Sequence, residues 1–132
     1  MRKVGLWILA VAVALPVFYF GLAESAEVVV LETAAADGTQ TTRLWVVDHE
    51  GHAWLRTGDP SAAWLARLRA NPEVVVTRAG QRQELRAVLV DDAAARDAVN
   101  QLTLEKYGWR ERVLRAAMMD PAGVQPIRLE VR

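Results

Sequence analysis

Two kinds of hydrophobic pattern follow one another along the chain. Residues 4–23, "VGLWILAVAVALPVFYFGLA", carry no charge, and a bilayer-spanning helix needs about 20 apolar residues. After this run, short stretches of alternating apolar and polar residues, typical of strands, are separated by stretches with helical periodicity. The pattern predicts an N-terminal membrane segment, residues 1–23, followed by one folded domain, residues 24–132.

Within the domain, the pattern predicts three strands, a helix, two strands, two helices and a final strand. Strands are expected at 27–33, 42–47, 53–56, within the hairpin 73–90 and at 125–131, and helices at 60–71, 92–107 and 109–119. The last helix is expected to carry Val113, Leu114 and Met118 inward. Strands joined by hairpins form an antiparallel sheet, and about six short strands curl readily into a small barrel. The predicted class is α+β.

The stretch "TTRLWVVDHEGHAWLRTGDP", residues 41–60, predicts a hairpin followed by a helix. Its first strand is apolar on both faces, which indicates a central strand covered on both sides. Its second strand is expected to pair back across the turn. Asp59 is a suitable helix cap, and Pro60 suits the first helical position.

The N-terminal segment has a second interpretation, a cleaved signal peptide, because Gly21 and Ala23 form a small-x-small cleavage site. A signal peptide usually has an apolar core of only about 7–15 residues, which favours an uncleaved anchor here. Arg2 and Lys3 precede the segment, so the positive-inside rule places the domain outside the cytoplasm. The prediction is a single-pass membrane protein with an extracytoplasmic domain.

Composition excludes several classes of function. The chain has 16 Lys+Arg and 16 Asp+Glu, so it lacks the basic surface that nucleic-acid binding requires. It has no cysteine, which excludes disulfides, thiolate zinc sites, a cysteine nucleophile and a lipid-bearing cysteine. His49 and His52 form an H-x-x-H pair, but a zinc site needs a third ligand, and an exposed turn is the favoured interpretation. We predict no metal.

The start of the helix expected at residue 60 is the remaining candidate site. A helix N-terminus offers free amide donors and a positive dipole end, which favour an anion. Arg56, Thr57 and Ser61 lie next to it, and Arg43 is expected on a neighbouring strand. Asp59 opposes this interpretation, because a capping carboxylate occupies those amides and repels a phosphate. From the residues alone, an anion site and a simple helix start both remain open.

The order of short motifs from residue 28 to 131 resembles a known group of proteins. These motifs are Gly38 in a turn, "TRLWV" at 42–46, "RT" at Arg56 and Thr57, "W…LRANPEV" at 64–74, "EKYGW" at 105–109 and "PIRLE" at 126–130. They are similar to the split-β-barrel flavin-binding superfamily, also called pyridoxamine-phosphate-oxidase-like. The nearest members are deazaflavin-dependent nitroreductase-like proteins and related small proteins of unknown function.

The resemblance implies a split β-barrel that binds flavin mononucleotide or a deazaflavin and acts as a reductase on an unidentified substrate. It implies that Arg56 and Thr57 hold the cofactor phosphate, with Ser61 and Trp64 beside them. Thr42 and Arg43 would line the sheet under the ring system. It also implies a homodimer in which both subunits complete the site.

One loop departs from the pattern of the resemblance. Cofactor-binding members carry a basic loop before the second strand, whereas this chain has "AAADG" at 34–38, and Thr41 stands where a further arginine is expected. Each lost charge-assisted bond to a phosphate weakens binding by about 1.5–3 kcal/mol. The departure favours an alternative function, a non-catalytic split-barrel binding or accessory module that has lost tight cofactor binding.

Overall fold

The structure is a computed structural model that describes residues 26–117 and 119–132. The predicted membrane segment and Met118 lie outside these residues. The strands are β1 Val28–Ala35, β2 Gly38–Trp45, β3 Val47–His49, β4 His52–Thr57, β5 Glu73–Arg78, β6 Gln81–Leu89 and β7 Gln125–Val131. The helices are α1 Ala63–Ala70, α2 Ala93–Tyr107 and α3 Trp109–Ala117, with a 3-10 turn at Pro121–Gly123.

The seven strands form one sheet in the order β2-β1-β5-β6-β7-β4-β3, and every neighbouring pair is antiparallel. Strand β2 also contacts β4, although four strands lie between them in this order. The sheet therefore curls towards closure. The predicted α+β class and antiparallel barrel-like sheet are confirmed, with one strand more than expected. No helix in the described ranges is long and apolar enough to cross a bilayer.

The turn of the hairpin predicted within residues 41–60 is confirmed, since β4 pairs back on β3 across it, but the first strand of the hairpin is not as expected. The continuous strand expected at 42–47 is broken at Val46, and β2 pairs with β1, while β4 pairs with β3 and β7. Strand β2 also lies at one edge of the sheet and is therefore not central. Val46 and Val47 are consecutive and both buried, and they pack into two different apolar clusters. The Val46 N–H donates to the Tyr107 hydroxyl at 3.0 Å instead of to a neighbouring strand.

The helix predicted to begin at Pro60 begins at Ala63, and no side chain caps it. The Asp59 carboxylate instead accepts hydrogen bonds from the Ser61 backbone N–H at 2.9 Å and the Ser61 hydroxyl at 2.6 Å. These local bonds stabilise a turn and compete with helix formation. The helix predicted at 92–107, for which either Asp91 or Asp92 is a suitable cap, is confirmed as α2, and the Asp92 side chain caps its start.

Two apolar clusters hold the elements together. The larger one packs the buried side of α1, including Leu65 and Leu68, against the sheet. The smaller one joins β3 and β4 to α2 through Val47, Trp54, Val99 and Tyr107. Leu65 and Leu68 were expected to be buried, and both are.

Helix α3 differs from its predicted packing. Val113 was expected to face inward, yet it is 58% exposed. Glu111 takes the buried position instead and is 0% exposed. A buried carboxylate requires polar partners, so the inner side of α3 faces a polar cluster and not an apolar core.

Candidate functional site

A cavity of about 350 Å³ lies where β2 and β4 end, beside the turn before α1 and against α3. Its lining residues are Arg43, Leu44, Trp45, Arg56, Thr57, Gly58, Asp59, Trp64, Leu114 and Met119. Four of the six predicted cofactor-binding residues, Arg43, Arg56, Thr57 and Trp64, therefore meet at one cavity. This volume is at the lower end of the range typical of small-molecule sites.

The other two predicted residues do not line the cavity. Thr42 lies on β2 opposite Leu31 of β1. Ser61 is exposed, and its hydroxyl donates to the Asp59 carboxylate. The structure thus separates these two side chains from the four that it brings together.

The walls of the cavity are mainly aromatic and apolar. Trp64 is 9% exposed and belongs to the main core. Trp45 is stacked on Tyr107, with ring centroids 4.3 Å apart and ring planes at 11°. Met119 packs directly over Gly58, because a Cβ at Gly58 would come within 2.4 Å of the Met119 Cγ. These surfaces suit a flat, largely apolar ring system.

Arg56 belongs to a buried polar cluster behind the cavity. Its guanidinium donates to the Asn100 side-chain oxygen at 2.9 Å and forms an ion pair with Glu111. The Arg56 side chain is 6% exposed and that of Glu111 is 0% exposed. Arg115 binds the other Glu111 oxygen at 3.2 Å and the Asn100 backbone carbonyl at 2.9 Å. The Glu111 carboxylate is therefore ion-paired with two guanidinium groups.

This cluster determines how Arg56 can act. Burial, and secondly the neighbouring Arg115, lower the pKa of Arg56 to about 10, so the guanidinium is charged at neutral pH. A phosphate in the cavity would have to share Arg56 with Glu111 and Asn100. Sequence analysis did not identify Glu111, Asn100 or Arg115. Only the four-residue spacing of Glu111 and Arg115 on a helix was visible in advance.

The remaining charges at the cavity have opposite signs. Arg43 is exposed, and within residues 26–117 and 119–132 no ion pair joins it to a carboxylate. Asp59 is also exposed, and the hydrogen bonds from Ser61 lower its pKa, so it is ionised at neutral pH. The Thr57 hydroxyl is used locally, since it accepts from the Asp59 N–H at 3.0 Å. Arg43 is therefore the cation best placed to meet an anion in the cavity.

A second polar cluster fastens the start of the domain to the end of α2. Lys106 donates to the Glu27 carboxylate at 2.6 Å, and the Tyr107 hydroxyl donates to the Glu27 backbone carbonyl at 2.6 Å. Arg78 binds the carboxylates of both Glu27 and Asp48. Arg78 and Lys106 lower the pKa of Glu27, and burial raises that of Tyr107. We call these five residues the N-terminal clasp.

The histidines of the turn do not converge with other ligands. His52 Nδ1 lies 3.2 Å from the Leu129 carbonyl, and His49 Nε2 lies 3.6 Å from the Glu50 carboxylate. Among residues 26–117 and 119–132, no group of three or more histidine, aspartate or glutamate side chains could hold a metal ion.

Comparison with known proteins relates the chain to solved structures of one fold. No protein-family model matches the sequence, and no curated protein matches it significantly. A conserved hypothetical protein of Mycobacterium tuberculosis aligns with a TM-score of 0.63 and 20% identity, over 85% of this chain and 77% of that one. A FAD-binding protein of Mesorhizobium loti aligns with a TM-score of 0.57 and 14% identity, over 80% and 81% of the two chains.

A third similar structure is an F420-H2-dependent reductase, with a TM-score of 0.54 and 19% identity, over 78% of this chain and 92% of that one. Another structure, 18% identical with a TM-score of 0.58, is described as a domain-swapped dimer. At these identities the likeness shows the fold. The fold that the resemblance implies, a split β-barrel, is confirmed.

Proposed function

We propose that the protein binds a flavin-type cofactor, flavin mononucleotide or a deazaflavin, in the cavity between β2, β4 and α3. With that cofactor it acts as a membrane-anchored reductase. The observation that carries the proposal is the meeting of Arg43, Arg56, Thr57 and Trp64 at one cavity in a split-barrel fold. The FAD-binding protein and the F420-H2-dependent reductase of the same fold support this choice of cofactor.

The residues present fit the ring system of such a cofactor. The apolar and aromatic walls of the cavity are supplied by Leu44, Trp45, Trp64, Leu114 and Met119. These side chains would hold and orient the ring and exclude water from it. The bound cofactor supplies hydride transfer.

The residues fit a phosphate less completely. Arg43 is placed to bind it, whereas Arg56 is already paired with Glu111 and Asp59 would repel it. A single charge-assisted contact contributes about 1.5–3 kcal/mol, or about tenfold or more in affinity. We therefore expect cofactor binding in the micromolar range, with Arg43 as its main phosphate contact.

The buried pairing of Arg56 with Glu111 favours a second candidate function. If Arg56 only stabilises the fold and contacts no ligand, the cavity would bind a small apolar ligand with no phosphate. The protein would then be a non-catalytic binding or accessory module. The two functions differ in one measurable property, which is the contribution of a phosphate group to affinity.

Two further features belong to the proposal. Residues 4–23 anchor the protein as a single-pass membrane protein with the domain outside the cytoplasm, as their uncharged sequence and the preceding Arg2 and Lys3 favour. The protein forms a homodimer. This state is favoured by β2, which is an edge strand of the sheet, and by the domain-swapped dimer of the same fold.

The proposal is tested by titrating the full chain, purified in mild detergent, with flavin mononucleotide, riboflavin and a deazaflavin. Quenching of tryptophan fluorescence reports binding near Trp45 and Trp64. Riboflavin lacks the phosphate, so its affinity measures the ring contribution alone. We expect Arg43→Ala to weaken flavin mononucleotide binding by about tenfold or more and to leave riboflavin binding unchanged.

Arg69→Ala is the matched control, because Arg69 is exposed on α1 and lies outside the cavity lining. Arg56→Ala is a poorer test, since it also removes the partner of buried Glu111. Equal affinity for riboflavin and flavin mononucleotide in the wild type would favour the binding module. Failure of all three ligands to bind at millimolar concentration would overturn the flavin proposal.

A further inference from the structure

Helix α3 exposes an apolar face. Trp109 is 60% exposed and Val113 is 58% exposed, although both side chains are large and apolar. They are four residues apart and therefore lie on the same side of the helix. Ala116 and Ala117 are exposed and continue that side by one turn. We call Trp109, Val113, Ala116 and Ala117 the outer α3 face.

Arginines flank this face. The Arg110 guanidinium lies over the Trp109 ring at 4.8 Å from its centroid, and Arg112 is exposed. The opposite side of α3 is already occupied, since Glu111 is buried against Arg56. An apolar face flanked by basic residues, with a tryptophan among them, is typical of helices that lie at a membrane surface.

The path of the chain brings the outer α3 face close to the predicted anchor. The first described residues are bound to the end of α2, because Lys106 and Tyr107 both hydrogen-bond Glu27. Tyr107 is only two residues before Trp109. The four residues from Ala23 to Glu27 span at most about 15 Å. An anchor at residues 4–23 would therefore join the domain on the side where α3 begins.

We propose that the outer α3 face lies on the surface of the bilayer that holds the anchor, with Trp109 and Val113 in the interfacial region. This inference rests on the anchor included in the proposed function. Arg110 and Arg112 of α3 favour anionic lipid headgroups, at about one kcal/mol for each basic residue near the surface, whereas Arg115 is bound to Glu111 and Asn100. Tethering raises the effective concentration of the face at the bilayer, so a small apolar area suffices.

The test uses the absence of cysteine from the chain, which lets a single introduced cysteine carry an environment-sensitive fluorophore. Full-length Val113→Cys is labelled and reconstituted into vesicles that contain phosphatidylglycerol, with and without a lipid carrying a shallow nitroxide quencher. For the label at position 113 we expect a blue-shifted emission. We also expect nitroxide quenching several-fold stronger than for a control label far from the start of β1.

Thr39→Cys supplies that matched label. Thr39 is exposed beside the β1–β2 turn, opposite Ala34, and about 20 Å along the strand from the start of β1. Equal and weak quenching at positions 113 and 39 in vesicle-bound protein would overturn the proposal. Self-quenching at position 113 that grows with protein density, without nitroxide quenching, would assign the face to a second copy and would also overturn it.

Flotation of the same vesicles reports on the anchor separately. Protein that fails to float with lipid would refute the anchor, and the surface proposal with it. Protein that floats but shows no quenching at position 113 would refute the surface proposal alone. The flavin titration in detergent is independent of both results.

Discussion

Replacing Glu111 with glutamine removes a fully buried carboxylate that is bound to two arginines. Glutamine has nearly the same volume, so the change leaves no cavity. Arg56 keeps its charge, because a guanidinium stays protonated in proteins, and it would remain buried without a counter-ion. Removing one partner of a buried ion pair costs about 3–5 kcal/mol of folding free energy. We expect a loss of this size for Glu111→Gln.

The measurement is urea unfolding of the full chain in detergent, followed by tryptophan fluorescence, together with thermal unfolding. For a domain of this size each kcal/mol lowers the melting temperature by about 4–8 °C, so a fall of more than about 10 °C is expected. Arg56→Met and the double variant complete a double-mutant cycle. The double variant should be more stable than the sum of the single losses predicts, by about 1–3 kcal/mol.

A loss below about 1 kcal/mol for Glu111→Gln, with no coupling to Arg56, would refute the reasoning. It would mean that the Arg56 guanidinium is solvated and does not depend on Glu111. The same variant has a functional consequence. With its carboxylate partner removed, Arg56 is freer to meet a phosphate, so the preference for flavin mononucleotide over riboflavin should rise in Glu111→Gln.

Three further predictions concern the clasp and the cavity. Tyr107→Phe keeps the ring but leaves the buried Val46 N–H without its acceptor, so urea unfolding should show a loss of about 1–3 kcal/mol. The pKa of Glu27 is lowered below its ordinary 4.5, first by Arg78, so its stabilisation holds above about pH 4.5 and is lost as the pH falls through the lowered value. Arg78→Gln should therefore destabilise at neutral pH, and its difference from the wild type should shrink as the pH falls below 4.5 in acid titrations of stability, whereas a constant difference would contradict this. Gly58→Ala should displace the Met119 side chain, which packs on Gly58. We expect weaker riboflavin binding with little change in the melting temperature. Unchanged riboflavin affinity would contradict the assignment of Met119 to the cavity wall.

The sequence determined those features that depend on neighbouring residues. Alternation of apolar residues gave the strands, and helical periodicity gave the buried residues Leu65 and Leu68 of α1. Asp92 predicted the start of α2 through its side-chain cap, and Gly108 predicted its end. The family pattern also led to four residues that meet at one cavity. Each of these signals lies within a few residues of the element that it predicts.

The tertiary structure alone determined the contacts between residues that are far apart in the sequence. Arg56 and Glu111 are 55 residues apart, and no local pattern shows that a guanidinium on β4 is paired inside the protein with a carboxylate on α3. The break at Val46 likewise depends on Tyr107, which is 61 residues away. Periodicity shows which side of an element is buried, but the partner of a buried charge is chosen by packing between elements. For this reason the sequence indicated residues that line one cavity, while the fold decided that Arg56 is paired inside the protein and that Arg43 is exposed.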